Sequence, residues 1–203
     1  MTLTARRATL ADAALLLRWR NDPATVAASR VQATVTAHDH VAWLERTLTD
    51  PARRLMIVLE LPDLAAWTGR SNERGTYRLD GVGIERVEVS LTVAPEYRAR
   101  GLAREIITLA GRHAVRGGAD VVTAEIRRDN IPSFVSFFRN GFVICDWGSG
   151  GPASGTFLLE VNAEEILRRA CPLCVARVEH HTNATGSIGG AEGRHPRYDL
   201  HVG

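Results

Sequence analysis

The sequence has 203 residues, 45% of them hydrophobic and 24% charged, with a formal net charge of +2. That balance suits one globular domain with a real core and an appendage, and 6% aromatic content at near-neutral charge argues against a dedicated nucleic-acid binder. The longest apolar run near the N-terminus, residues 13–17, is too short for export or for spanning a bilayer, so no membrane partner and a cytoplasmic location are expected.

Residues 3–8 read as a first strand. A helix follows at 11–20, where Leu15, Leu16 and Trp19 recur at helical spacing, and Asn21-Asp22-Pro23 ends it. Thr36 is a good N-cap for a second helix carrying Val41, Leu44 and Leu48 on one face. Residues 55–61 are β-branched and apolar enough for a strand, and 62–74 mixes Pro, Gly, Ser and Asn as a loop does. Strands are expected at 76–79 and 87–93. In the latter Val87, Val89, Leu91 and Val93 alternate with Glu88, Ser90 and Thr92 in period two.

Residues 101–116 form a helix with Leu102, Ile106, Leu109 and Ala110 on one face, stopped by Gly117-Gly118. A strand at 121–126, a short helix at 132–139, and strands at 142–147 and 156–161 complete the pattern. The order β-α-α-β-β-β-α-β-α-β-β predicts an α/β (α+β) domain, a mixed sheet with helices on both faces, over residues 1–162. Residues 163–203 open with a short polar helix, pass through Cys-Pro-Leu-Cys and end Gly-, His- and Asn-rich, which predicts a C-terminal extension that is partly disordered.

The most informative stretch runs from the strand at 87–93 into Arg98-Ala99-Arg100-Gly101-Leu102-Ala103 and the following helix. A strand passing through a small-residue turn into a helix start leaves several backbone N–H groups pointing one way. With the helix dipole they form an anion site suited to a pyrophosphate. Arg98 and Arg100 add positive charge, and Gly101 permits close backbone approach. Read on spacing alone, a basic turn before an amphipathic helix fits equally well.

This segment, "VEVSLTVAPEYRARGLA", resembles motif A of the GCN5-related N-acetyltransferases (GNAT), with Arg98, Gly101 and Ala103 on its pattern. Asn130-Ile131-Pro132-Ser133 through Gly141-Phe142 resembles motif B of the same family. The resemblance implies a mostly antiparallel sheet and acetyl-CoA as cosubstrate. It implies that Leu91, Thr92 and Val93 run beside the pantetheine arm, and that the amides of Arg98, Ala99, Arg100, Gly101, Leu102 and Ala103 cradle the phosphates. Asn130 and Phe137 complete the coenzyme side. Where the family usually has a Tyr, this chain has Phe137.

Acetyl transfer to an amine needs a base for the ammonium proton, and a carboxylate near the strand end supplies one. Glu88 and Glu85 are candidates, Glu88 preferred because it lies on the motif A strand; the alternative for Glu88 is a solvent-facing residue paired with an Arg. The resemblance places a backbone N–H near Val93 at the oxyanion. Phe137 cannot protonate the leaving sulfur, yet a thiol of pKa about 8.5 leaves as thiolate without an acid. A non-catalytic coenzyme A-binding homologue stays open.

The acceptor clues are Trp19-Arg20-Asn21-Asp22-Pro23, His40-Val41-Ala42-Trp43 and Gly75-Thr76-Tyr77-Arg78-Leu79-Asp80. In that combination and order they resemble acetyltransferases of nucleotide-linked amino sugars, as in pseudaminic acid biosynthesis, and more loosely Rim-type enzymes acting on protein N-termini. On this reading Arg20, Asn21 and Arg78 donate to a sugar or diphosphate and Trp43 offers a flat face, with His40 beside them. Trp19 and Trp43 also suit plain helical packing, and His40 a helix face.

Three Cys, at 145, 171 and 174, are too few and odd for a disulfide framework, and Cys145 is expected in the core. Cys171, Cys174, His180 and His181 offer four zinc-type ligands, but the five-residue gap between second Cys and first His is unlike the usual zinc modules. No metal is expected. The tail is read as a cover for the domain or a means of self-association into a homodimer, and the partner of the domain as a small-molecule amine.

Overall fold

The computed structural model describes residues 2–61, 72–149 and 151–170. The Cys/His tail and most of the expected loop at 62–74 lie outside the described residues. Seven strands form one sheet in the order β1-β2-β3-β4-β5-β7-β6: β1 Thr2–Arg7, β2 Arg53–Leu61, β3 Glu73–Asp80, β4 Arg86–Val93, β5 Val121–Arg127, β6 Val143–Trp147 and β7 Thr156–Asn162. Every neighbouring pair is antiparallel except β4 and β5.

Six α-helices accompany it among the described residues: α1 Ala13–Arg20, α2 Pro23–Ala28, α3 Ala37–Thr49, α4 Leu102–Arg116, α5 Ile131–Arg139 and α6 Ala163–Ala170. Period-two alternation divides the sheet into two packed faces. On one, Tyr77, Leu79, Val87, Val89, Val122, Ala124 and Ile126 pack with Ile106, Ile107 and Ala110 of α4 and Phe137 of α5. On the other, Leu55 and Ile57 pack with Leu16, Trp19 and Leu44 of α1 and α3.

Several elements differ from the sequence reading, each for a local reason. Asn21-Asp22-Pro23 does end α1, but Pro23 also opens α2. The Asp22 carboxylate accepts from the Thr25 N–H at 3.0 Å, and proline at the first helical position gives up no bond. The buried stripe of α3 is His40, Leu44 and Thr47, with Val41 39% exposed, so the helix is rotated by one residue from the expected face. Strand β3 starts at Glu73 rather than Thr76, since Ala94 N–H extends its pairing by bonding Arg74 O at 3.0 Å.

Cys145, expected in the core, is exposed. It lies on β6, the sheet's edge, whose residues are all exposed because no described helix covers them. β7 ends at Asn162, where the domain was expected to end. Beyond it α6 returns to the sheet, with Ala163 and Ile166 fully buried beside α4.

Candidate active site

The site begins where two strands part. β4 pairs with β5 only from Arg86 to Glu88, against Val121 to Thr123. Beyond that, β4 stays on β3 to Val93 and β5 stays on β7 to Arg127, so the two diverge. The bond from Ala94 N–H to Arg74 O fixes the phase of the β3–β4 ladder. Even-numbered amides of β4 therefore bond β3, and those of Leu91 and Val93 point toward the departed β5.

A cavity of about 1040 Å³ fills the divergence. Val89, Ser90, Leu91, Thr92 and Val93 wall one side and Ala124, Glu125, Ile126 and Arg127 the other. One end reaches the start of α4, and the opposite end lies under α1 and α3.

At the α4 end the chain turns through two left-handed residues, Ala99 with φ 60° and Gly101 with φ 79°. Gly101 is the N-cap of α4, and a Cβ added to it would meet nothing within 4 Å. The positive φ calls for glycine, and the open space beside it suits a bulky anion. Among the described residues, the amides of Ala99, Arg100, Gly101, Leu102 and Ala103 have no hydrogen-bond acceptor. Five free N–H groups at a helix start fit a diphosphate.

Arg98, Ala99, Gly101, Leu102 and Ala103 line the cavity, as do Asn130 and Phe137. The Arg98 guanidinium is held by Asp22 at 2.6 Å and Thr25 at 2.6 Å, which joins α2 to this loop. Burial would raise the Asp22 carboxyl, but Arg98 and the Thr25 backbone outweigh it and hold it below its usual range. Arg100 lies outside the lining, over the Tyr97 ring at 5.3 Å. Asn130 caps α5, accepting from Ser133 N–H at 3.2 Å. Phe137 is buried, edge-on to Phe142 at 4.8 Å, and brings no hydroxyl to the cavity.

At the other end Arg20, His40, Trp43 and Arg78 come together on the lining. His40 and Trp43 have ring centroids 5.3 Å apart, and the Arg78 guanidinium lies 5.9 Å from the Trp43 ring while pairing with Asp80 at 2.7 Å. Burial pushes the His40 imidazole below its ordinary value, against a raising contact with the Ala13 backbone. Asn21 lies off the lining. Its amide donates to Val35 O and accepts from Val35 N–H, both at 2.8 Å, and so pins the segment after α2.

Glu88, expected as the base, lies off the cavity lining, one residue before Val89 where the strands part; it is 35% exposed, with Arg30 3.7 Å away. Glu85 lies before β4 and is exposed, its carbonyl bonding the amides of Asp120 and Val121 at 2.8 and 3.0 Å. The sequence reading missed Glu125. Its carboxylate is 6% exposed on the cavity wall and binds Arg30 at 2.5 Å, Thr156 Oγ1 at 2.8 Å and Ser149 Oγ at 2.9 Å. Burial would raise this carboxyl, yet the Thr156, Ser149 and Arg30 bonds hold it below its usual range. The available signal was an acid between Ala124 and Ile126 in an apolar strand, which must point away from the core.

Divergent central strands with free β4 amides, leading to a glycine-capped helix start, define a coenzyme-binding acyltransferase fold. The chain belongs to the acetyltransferase (GNAT) family: residues 2–143 match its domain model. It is therefore an acyltransferase of the family that uses acetyl-CoA to acetylate amines.

Solved structures of similar fold include a domain from Methanocaldococcus jannaschii (TM-score 0.68, 19% identical, covering 79% of this chain and 98% of that one). Spermidine N-acetyltransferase from Vibrio cholerae, in complex with CoA and spermine, gives 0.67 and 17%, covering 81% and 98%. The Salmonella typhimurium protein yncA, with its cofactor acetyl-CoA, gives 0.60 and 21%, covering 80% and 95%. No curated protein matches the sequence.

Proposed function

We propose that this chain transfers the acetyl group of acetyl-CoA to the primary amine of a nucleotide-linked amino sugar, in the cytoplasm, through a transferase domain spanning residues 1–162. The observation that carries the transfer is the single cavity joining the free amides of β4 and α4 to the aromatic and basic wall of α1 and α3. Amides 99–103 would hold the pyrophosphate, and Leu91 and Val93 N–H the pantetheine arm and the oxyanion. Asn130 and Phe137 would bound the coenzyme from α5.

Glu88 is the base in this reading, since it stands where the strands part. Proton removal frees the amine lone pair, the N–C bond forms, and the sulfur leaves as thiolate without help from Phe137. For the acceptor, Trp43 offers a ring-stacking face, with Arg78 and Arg20 as donors to phosphate oxygens. Asn21 serves by fixing Val35 rather than by contact.

The test is thiol release from acetyl-CoA by purified full-length protein, with UDP-linked amino sugars, spermidine and ribosomal N-terminal peptides offered separately. Turnover confined to the nucleotide sugar supports the full reading. Turnover with peptides alone replaces the acceptor, and acetyl-CoA binding with no turnover of any amine removes the transfer.

A further inference from the structure

Among the described residues five arginines line the cavity: Arg20, Arg30, Arg78, Arg98 and Arg127. Four of them have carboxylate partners, Arg30 with Glu125 at 2.5 Å, Arg78 with Asp80 at 2.7 Å, Arg98 with Asp22 at 2.6 Å, and Arg127 with Asp129. Arg20 has none among the described residues. Its Nη2 donates to Val31 O at 3.0 Å, and its Nη1 is buried with no partner among the described residues.

Two neighbours on the same wall share this condition. Among the described residues Trp19, 2% exposed, has no partner for its Nε1, and His40, 4% exposed, has none for its Nε2. Buried polar atoms are nearly always paired, because leaving one unpaired costs about 1–3 kcal/mol. Three on one wall, all on residues lining the cavity, therefore mark a place for a polar group. Arg20 Nη1 and Trp19 Nε1 can only donate, and no described carboxylate pairs with the guanidinium.

We propose that Arg20 and Trp19 bind an oxyanion of the acceptor, a carboxylate or a phosphate, so that the enzyme selects amines carrying negative charge and rejects polycations. His40 Nε2 meets an O–H or N–H beside that anion. This rests on the amine-transfer reading and narrows its acceptor; a nucleotide diphosphate is one source of the anion and an amino-acid carboxylate the other.

Two measurements test it. The first follows the Trp19 indole N–H by NMR, assigned through Trp19→Phe, in protein saturated with coenzyme A so that the α4 loop is filled. Sodium acetate or inorganic phosphate, but not chloride at equal ionic strength, should shift this signal in the wild type and not in Arg20→Gln. No response to either anion, or an equal response in Arg20→Gln, overturns the proposal; a response to acetate and phosphate that matches chloride does the same.

The second compares matched acceptors, an amino acid against its amide and phosphoethanolamine against ethanolamine. The anionic member of one pair should be favoured in kcat/KM by about tenfold to a hundredfold, the range of a charged hydrogen bond. The pair that shows it tells carboxylate from phosphate. Arg20→Gln should erase the preference with KM for acetyl-CoA unchanged, and Arg20→Lys should keep part of it. A preference for neutral amines, or one that survives Arg20→Gln, overturns the assignment. If no amine is acetylated while the Trp19 signal still answers the anions, the transfer reading fails and the anion subsite stands.

Discussion

Arg30 Nη1 lies 2.5 Å from Glu125 Oε2, joining the segment after α2 to the middle of β5 across 95 residues of sequence. The same guanidinium reaches Glu88 at 3.7 Å, so one cation bridges the two strands where they part. The bridge sets both carboxylates against one cation where β4 and β5 diverge.

Because Glu125 titrates below its usual value in the folded chain, it adds stability above the unfolded carboxyl pKa of about 4.3. That contribution is lost as pH falls through the lower folded value. Glu125→Gln should therefore be less stable than wild type at pH 7, by about 1–3 kcal/mol, and the gap should close in acid. Urea unfolding at pH 7 and below pH 4 measures both. A gap that persists at low pH would mean the glutamate acts through packing alone.

Glu88→Gln should lower the rate mainly at neutral pH and below, where the acceptor amine is protonated and needs a base. A general base of this kind is worth about 100-fold or more. The pH profile of kcat/KM decides it: a profile identical to wild type leaves Glu88 as an ordinary partner of Arg30.

At Gly101 two substitutions separate backbone strain from charge. Gly101→Ala forces a Cβ into a left-handed conformation, at a cost of about 1–2 kcal/mol, but meets no neighbouring atom. It should weaken acetyl-CoA binding modestly. Gly101→Glu places negative charge among the free amides and should abolish binding with the fold intact. Calorimetric titration with acetyl-CoA reads both, and wild-type affinity in Gly101→Glu would refute the loop assignment.

Gly148 lets three elements meet, since an added Cβ would lie 2.0 Å from Thr156 Oγ1 and 2.4 Å from Glu125 Oε1. Gly148→Ala should push Thr156 off Glu125 and lower the melting temperature by several degrees, as a shift of 1–3 kcal/mol does in a domain of roughly this size. Its acetyl-CoA affinity should stay near wild type, because Gly148 is remote from the α4 loop. Loss of coenzyme binding instead would show that the β5–β7 side shapes that loop.

The sequence by itself determined the sheet's strands, the order of elements apart from α2, and residues 98–103 as the candidate coenzyme loop. These are local matters: period two writes a strand, and a glycine in a left-handed turn writes a helix start whatever surrounds it. Only the tertiary structure decided the acceptor end. His40 lies in the buried stripe of α3 because α1 covers it, which no pattern within α3 reveals. Asn21 turned inward because Val35 lies within its reach. Glu125 gained its meaning from Arg30, Ser149 and Thr156, each from a different part of the chain. Charge compensation is a property of distances across the fold, so Arg20, the one lining arginine without a carboxylate among the described residues, could be recognised only after the others had found theirs.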